Sequence, residues 1–426
     1  MRFKAVDPSI TEHAVEQRGF VEVTFDDAQP EGEKIDIFYR LIPSYDLKPE
    51  DPSKPIILVM NGGPGIPSSY YRPLEFDYTE ATSTNREKKA FDRFQFFLKT
   101  HRILLVDQRG TDGQSAPLDM DDPNLDANLV ARFFSSDSHA RDYAAVIDAV
   151  IPKGEPFFII AQSYGGMPGM QYLALPGDRR PNGIVFSCSA LPYENGLEQM
   201  LCRRREQLKL NLQLRAVFPD IEQRLQSVKN HYTQIGVDPA RIHVLFTELG
   251  KGVAWEKSFV EKLERILTQT REEFEQNQEK LGEVNLLNYI LSSANFTPGY
   301  TDRTCCEWTS AQVPLESWMI DENRVLTQVG QDGSWRENFI AQMDRKPPPA
   351  TPFPSVEVLQ KAIGQNQLLF TPADNDAFVP AEAYVKALEI FQVAGHTEVR
   401  RLPGGHHAIF LEQGHIEFID WARDKI

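Results

Sequence analysis

The stretch Phe157-Phe158-Ile159-Ile160-Ala161-Gln162-Ser163-Tyr164-Gly165-Gly166 carries an unbroken apolar run into a serine set among small residues. Such a run reads as a strand buried on both faces, and the residues after Gly166 read as a helix. Ser163 then falls on a tight strand-to-helix turn. A turn of that kind lifts the hydroxyl clear of the sheet, and a branched neighbour would collide with adjacent backbone. Pro168 lies near the first turn of the helix, where a missing N–H is tolerated. A Ser-x-Gly after a strand can also be a plain structural turn, so the reading needs partners elsewhere in the chain.

Outward from this stretch the chain alternates. Continuous apolar runs recur at Pro55–Met60, Arg102–Asp107, Gly183–Ser187, Gln367–Thr371 and Glu398–Leu402, with helical patterns at Ser138–Val150 and Ala381–Ala394. That alternation predicts a layered α/β domain around a mostly parallel sheet. Upstream, Glu22–Arg40 alternates apolar and polar residues about the turn-rich Asp26–Gly32 and predicts a β-hairpin. From about Tyr193 to Lys346 the texture changes to Glu, Gln, Lys, Arg and Leu at helical spacing, as in Val260–Lys280. The expected organisation is a core from residues 1–192 and 347–426, with 193–346 inserted as a helical lid that returns through the Pro-rich Lys346–Pro354.

The chain has 426 residues, 41% hydrophobic and 25% charged, which is enough for a core with a sizeable insertion. A net charge of −16 without a Lys/Arg-rich stripe argues against nucleic acid as a partner. Arg203-Arg204-Arg205, in a helical run, reads as a solvated face. Residues Met1 to Phe20 show no secretory h-region, and apolar runs such as Ile56–Met60 are far below a membrane span. Cys188, Cys202, Cys305 and Cys306 make neither a disulfide framework nor a zinc spacing, so a reducing cytoplasm is expected and no metal or cofactor is implied.

A serine hydroxyl needs a base and a place for the developing oxyanion. Asn61-Gly62-Gly63-Pro64-Gly65, directly after the run ending at Met60, can aim backbone N–H groups at one spot, and losing one such donor typically costs about 100–1,000-fold in rate. No Gly-Lys-Ser/Thr follows, which excludes a P-loop. Of nine histidines, His406 and His407 follow the last strand-like run in Leu402-Pro403-Gly404-Gly405-His406-His407. That is where the order Ser…Asp…His would place the base, His406 first and His407 as the alternative. The acid belongs after the preceding strand, where Thr371-Pro372-Ala373-Asp374-Asn375-Asp376 offers two carboxylates that spacing alone does not separate.

Together these motifs resemble the proline iminopeptidase (prolyl aminopeptidase) family of α/β-hydrolases. The family's oxyanion loop, His-Gly-Gly-Pro-Gly, is matched by Asn61–Gly65. Its Asp-Gln-Arg-Gly step is matched by Asp107-Gln108-Arg109-Gly110, and its Gly-x-Ser-aromatic-Gly by Ala161–Gly165. The matches span roughly residues 56–192 and 367–412. Asn61 stands where the family has histidine and Ala161 where it has the first glycine, and the turn after Gly110 carries Asp112 or one extra residue.

The resemblance implies an α/β-hydrolase fold and an acid four residues before a proline, which selects Asp376 (with Pro380). It implies a base after Pro-x-x-Gly, which selects His406, and backbone oxyanion donors at Gly63 and Tyr164. The implied reaction is acyl transfer through Ser163, releasing N-terminal proline or another small residue from short peptides or amino-acid amides. An esterase, amidase or lactonase using the same residues is the alternative, and a silent binding protein on this scaffold would be expected to lack one of them. Trp255-Glu256 is reminiscent of the family's amine-gripping lid acids, with Glu283 or Glu307 as partners, though a solvated helical face explains such glutamates equally well.

Overall fold

The computed structural model describes residues 17–44, 54–63, 68, 94–110, 115–116, 129, 132–191, 196–237, 239, 250, 255–274 and 353–425. Their strands are β1 Gln17–Thr24, β2 Lys34–Ile42, β3 Ile56–Met60, β4 Arg102–Val106, β5 Phe157–Gln162, β6 Gly183–Ser187, β7 Leu368–Thr371 and β8 Thr397–Val399. They form one eight-stranded sheet in the order β1-β2-β4-β3-β5-β6-β7-β8. The first two strands make the expected hairpin, with Phe20 opposite Phe38, and β2 pairs antiparallel with β4. From β4 onward every pairing is parallel.

Successive side chains of a strand face opposite ways, so continuous apolar runs are what a sheet covered on both sides requires. Ile56, Leu58 and Met60 feed one core, shared with Tyr143 and Ile147 of helix α1 (Ser136–Val150), Met170 of α2 (Gly166–Ala174), Leu359 of α6 (Val356–Ile363) and Tyr384 of α7 (Ala381–Phe391). Ile57 and Val59 feed the opposite core, closed by Phe97 and by Phe418 and Trp421 of α8 (Glu412–Ala422).

Between β6 and β7, ahead of α6, the described helices are α3 (Gly196–Val217), α4 (Ile221–Gln234) and α5 (Trp255–Ile266). They carry a core of their own, in which Leu210, Leu214, Leu225, Val228, Phe259 and Leu263 pack together and reach Ala377. Trp255, Phe259, Val260, Leu263 and Ile266 lie on one face of α5, the i, i+4 spacing of an amphipathic helix. The expected return near Lys346 lies outside the described residues, as do Glu283, Glu307, Cys305 and Cys306.

Several boundaries differ from expectation, two of them in the C-terminal segment. The last strand proper ends at Val399 rather than Leu402. Backbone pairing nevertheless continues, with Arg400 N donating to Phe370 O at 2.9 Å, Leu402 N to Pro372 O at 2.9 Å and Asn375 N to Gly404 O at 2.8 Å. Helix α7 stops at Phe391 because Gln392 turns extended.

Candidate active site

Ser163 sits where β5 ends and a short 3-10 turn, Ser163–Gly165, leads into α2. Its φ is 56°, a left-handed conformation costing a non-glycine residue roughly 1–3 kcal/mol. The surroundings hold it there. Ala190 N donates to Ser163 O at 2.9 Å, and Ser189 Oγ to Ala161 O at 2.7 Å. A Cβ at Gly165 would stand 2.0 Å from the Met60 carbonyl oxygen, so only glycine lets the elbow press against the end of β3. Ala161 and Tyr164 are buried, while Ser163 keeps partial exposure.

The end of β3 is braced in turn. Gln108 donates its amide to Asn61 O at 3.0 Å and Gly62 O at 3.4 Å, and Tyr143 OH donates to Asn61 Oδ1 at 3.1 Å. Gly63 has φ 122°, which few side-chain-bearing residues adopt. Pro64, Gly65 and residues 111–114 lie outside the described residues.

The flanking residues of the same Asp-Gln-Arg-Gly motif serve as struts. Asp107 accepts from Ser68 N at 2.7 Å and from its hydroxyl. Buried Arg109 grips Asp142 with Nε at 2.7 Å and Nη2 at 2.5 Å. Burial pushes the Asp142 carboxyl up, with the Arg109 guanidinium pulling against it.

Tyr164 is fixed from the far side. Its hydroxyl and His139 Nδ1 lie 3.0 Å apart, with the rings edge-on. Burial, and after it the charge of Arg109, lowers His139 to about 3, so the imidazole is neutral at ordinary pH.

Asp376 follows β7 and is 1% exposed. One carboxylate oxygen accepts from Phe378 N at 2.8 Å and Val379 N at 3.0 Å, and the other meets His406 Nδ1 at 2.8 Å. Asp374 instead pairs with Arg401 at the surface. His406 is clamped through its backbone, its N donating to Gly250 O at 2.9 Å and its O accepting from Gln162 Nε2 at 3.0 Å. The Phe378 ring lies 4.9 Å from the imidazole. The ring of His407, the alternative base, lies tilted at 57° to that of His406 with centroids 5.4 Å apart.

The fold therefore gathers Asp376 and His406 into one bonded pair and ties that pair to the residue preceding Ser163. Among the described residues no hydrogen bond joins Ser163 Oγ to His406 Nε2. Such bonds are often long in unliganded sites and tighten with substrate. Of the lid acids considered, Glu256 accepts from Gln213 at 2.6 Å. Gln162, Tyr143, His139 and Gly250 had no motif to announce them.

This sheet order, with a strained serine after β5 and an acid and a histidine at the ends of later strands, defines an α/β hydrolase. The profile described as "Alpha/beta hydrolase family" matches residues 57–421, and the chain belongs to that family.

Among solved structures, bromoperoxidase from Bacillus anthracis is similar at 12% identity over 96% of this chain and 100% of its own, with a TM-score of 0.43. The esterase EaEST from Exiguobacterium antarcticum is similar at 12% identity over 95% and 98%, with a TM-score of 0.39. Naproxen esterase from Bacillus subtilis is similar at 11% identity over 96% and 91%, with a TM-score of 0.40. Likenesses this distant say nothing about substrate. No curated protein matches the chain significantly. Among the described residues no helix is long and apolar enough to cross a membrane.

Proposed function

We propose that the chain is a serine hydrolase acting through an acyl-enzyme, with Ser163 as nucleophile, His406 as base and Asp376 as the acid that orients it. The observation that carries this reading is the 2.8 Å Asp376–His406 pair on a loop anchored to Gln162, beside a serine held at φ 56°. In this reading the half-buried Ser163 hydroxyl faces His406 Nε2 when substrate is bound. The imidazole takes the hydroxyl proton as Oγ bonds to the substrate carbonyl carbon, and Asp376 stabilises the imidazolium. The oxyanion is met by the backbone N–H groups of Gly63 and Tyr164. Collapse breaks the bond to the leaving group, which departs with the proton from His406. Water repeats the sequence and frees the acid.

These motifs favour a short peptide or amino-acid amide with N-terminal proline as substrate, and 193–346 as the lid that selects it. An ester substrate is the second reading. The same triad and oxyanion donors serve an ester as well as an amide, and the residues above the serine decide which is taken. The net charge of −16 fits a small-molecule substrate rather than nucleic acid.

A fluorophosphonate probe tests the core of the reading. Wild type should label and Ser163→Ala should not, and equal labelling would remove the nucleophile. Turnover of proline p-nitroanilide against p-nitrophenyl acetate separates the two substrates, and hydrolysis of the ester alone would end the aminopeptidase reading.

A further inference from the structure

The mechanism above leaves one buried reactive group unused, the thiol of Cys188. Cys188 directly follows β6 at φ 46°, a conformation sterically unfavourable for a side-chain-bearing residue, and is fully buried. Its N donates to Thr371 O at 3.1 Å, which pins the end of β6 to the strand that leads into the Asp376 loop. Cys188 Sγ, a carboxylate oxygen of Asp376 and a ring nitrogen of His406 all lie within 4.8 Å of one another.

A thiol, a carboxylate and an imidazole so close could be metal ligands, but the spacing argues against it. His406 Nδ1 and Asp376 Oδ2 are 2.8 Å apart, a hydrogen-bond length. Two such ligand atoms on a tetrahedral zinc would stand about 3.3 Å apart.

We infer that Cys188 is a positioning residue, its S–H donating to the Asp376 carboxylate and holding it in the orientation that meets His406. This rests on the reading of Ser163, His406 and Asp376 as the reacting set. An ionised carboxylate offers about four acceptor positions, and Asp376 fills three of them with Phe378 N, Val379 N and His406. The thiol supplies the fourth from the sheet side, where no water reaches. The thiol has one hydrogen, and Thr371 O, at 3.7 Å, is a long neutral acceptor that competes with the charged carboxylate for it. Burial, with the adjacent Asp376 charge and hydrogen bond, pushes the thiol well above its ordinary range. It therefore stays a protonated donor throughout the working range and is no nucleophile.

A donor at that place draws charge from the carboxylate, so its removal leaves more negative charge facing the imidazole. The titratable groups around the pair are Cys188 at the end of β6, His406, and His407 with its ring 5.4 Å from that of His406. Asp374 is turned to Arg401, and Lys209 of α3 donates to the Asp374 carbonyl at 3.2 Å.

The test uses the full chain with Cys188→Ser, which keeps a donor, and Cys188→Gly, which removes it while relaxing the strained φ. Fluorophosphonate labelling rate is followed against pH. Cys188→Gly should move the acidic limb upward by about half a pH unit and slow labelling about threefold to tenfold. Cys188→Ser should track wild type. Coincident profiles for Gly and wild type would overturn the positioning role, and so would equal displacement in Ser and Gly, which would mean packing alone. Labelling that survives Ser163→Ala would instead strike the triad reading itself.

Discussion

The side-chain amide of Gln162 donates to the main-chain carbonyl of His406 at 3.0 Å, across 244 residues of sequence. The last residue of β5 thus sets the height of the histidine loop over the serine that follows it. Gln162 is fully buried, so no water replaces the amide if it is lost.

Gln162→Ala should therefore act on turnover more than on binding. With His406 as the proposed base, a displacement of well under an ångström lowers rate steeply, and a fall of about tenfold in kcat with little change in KM is expected. Steady-state kinetics on p-nitrophenyl acetate checks it, alongside a melting curve showing that the fold persists. A KM effect with kcat unchanged would mean that Gln162 does not position His406.

Gly250 is the second brace. Its carbonyl accepts from His406 N at 2.9 Å, and a Cβ there would stand 2.2 Å from the Asn375 carbonyl, next to Asp376. Its φ of 70° adds strain for any side chain. One residue from the segment between β6 and β7 is thus wedged between the Asp376 loop and the His406 loop. Gly250→Ala should slow fluorophosphonate labelling about tenfold or more, since the three loops cannot keep their spacing. Wild-type labelling in that variant would show that the loops adapt freely.

The sheet was legible because a strand covered on both faces needs apolar residues throughout, and Phe157–Ala161 or Ile56–Met60 leave no other reading. The elbow was legible for a steric reason, the small residue that Met60 O demands at position 165. Choosing between Asp374 and Asp376 was harder. Both follow the same strand, and the resemblance alone separated them until Asp376 met His406 and Asp374 met Arg401. The braces were invisible. Gln162, Gly250, Cys188 and His139 act through single side-chain or backbone hydrogen bonds between distant segments, which impose no period and no motif. The acids at 283 and 307 lie outside the described residues.

The Arg109–Asp142 pair carries a stability prediction. Both groups are buried, 1% and 3% exposed, and Arg109 also reaches the Phe25 carbonyl at 3.0 Å and the Phe133 carbonyl at 3.2 Å. Asp142→Asn removes one charge and strands the other, which typically costs about 3–5 kcal/mol. Urea denaturation should show that loss, and Arg109→Met with Asp142→Leu together should recover much of it. A single-variant loss near zero would mean that Arg109 finds water when its partner is gone.

Two buried histidines set the acid sensitivity. Burial lowers both His101 and His139 to about 3, while each titrates near 6.5 when unfolded. Below pH 6.5 the unfolded chain takes up protons that the folded chain refuses, so stability falls as pH falls, down to about 3. Each contributes a slope of roughly 1.4 kcal/mol per pH unit where the two states differ by a whole proton, and the pair about twice that. Asp142, raised by burial, works in the opposite sense near the acid end, since its folded form holds a proton longer. Between pH 6 and pH 4.5 the histidines should dominate. His139→Gln, which can keep a hydrogen bond to Tyr164, should remove about half of the slope, measured as unfolding free energy in urea at successive pH values. An unchanged slope in that variant would mean that His139 becomes protonated within the native state.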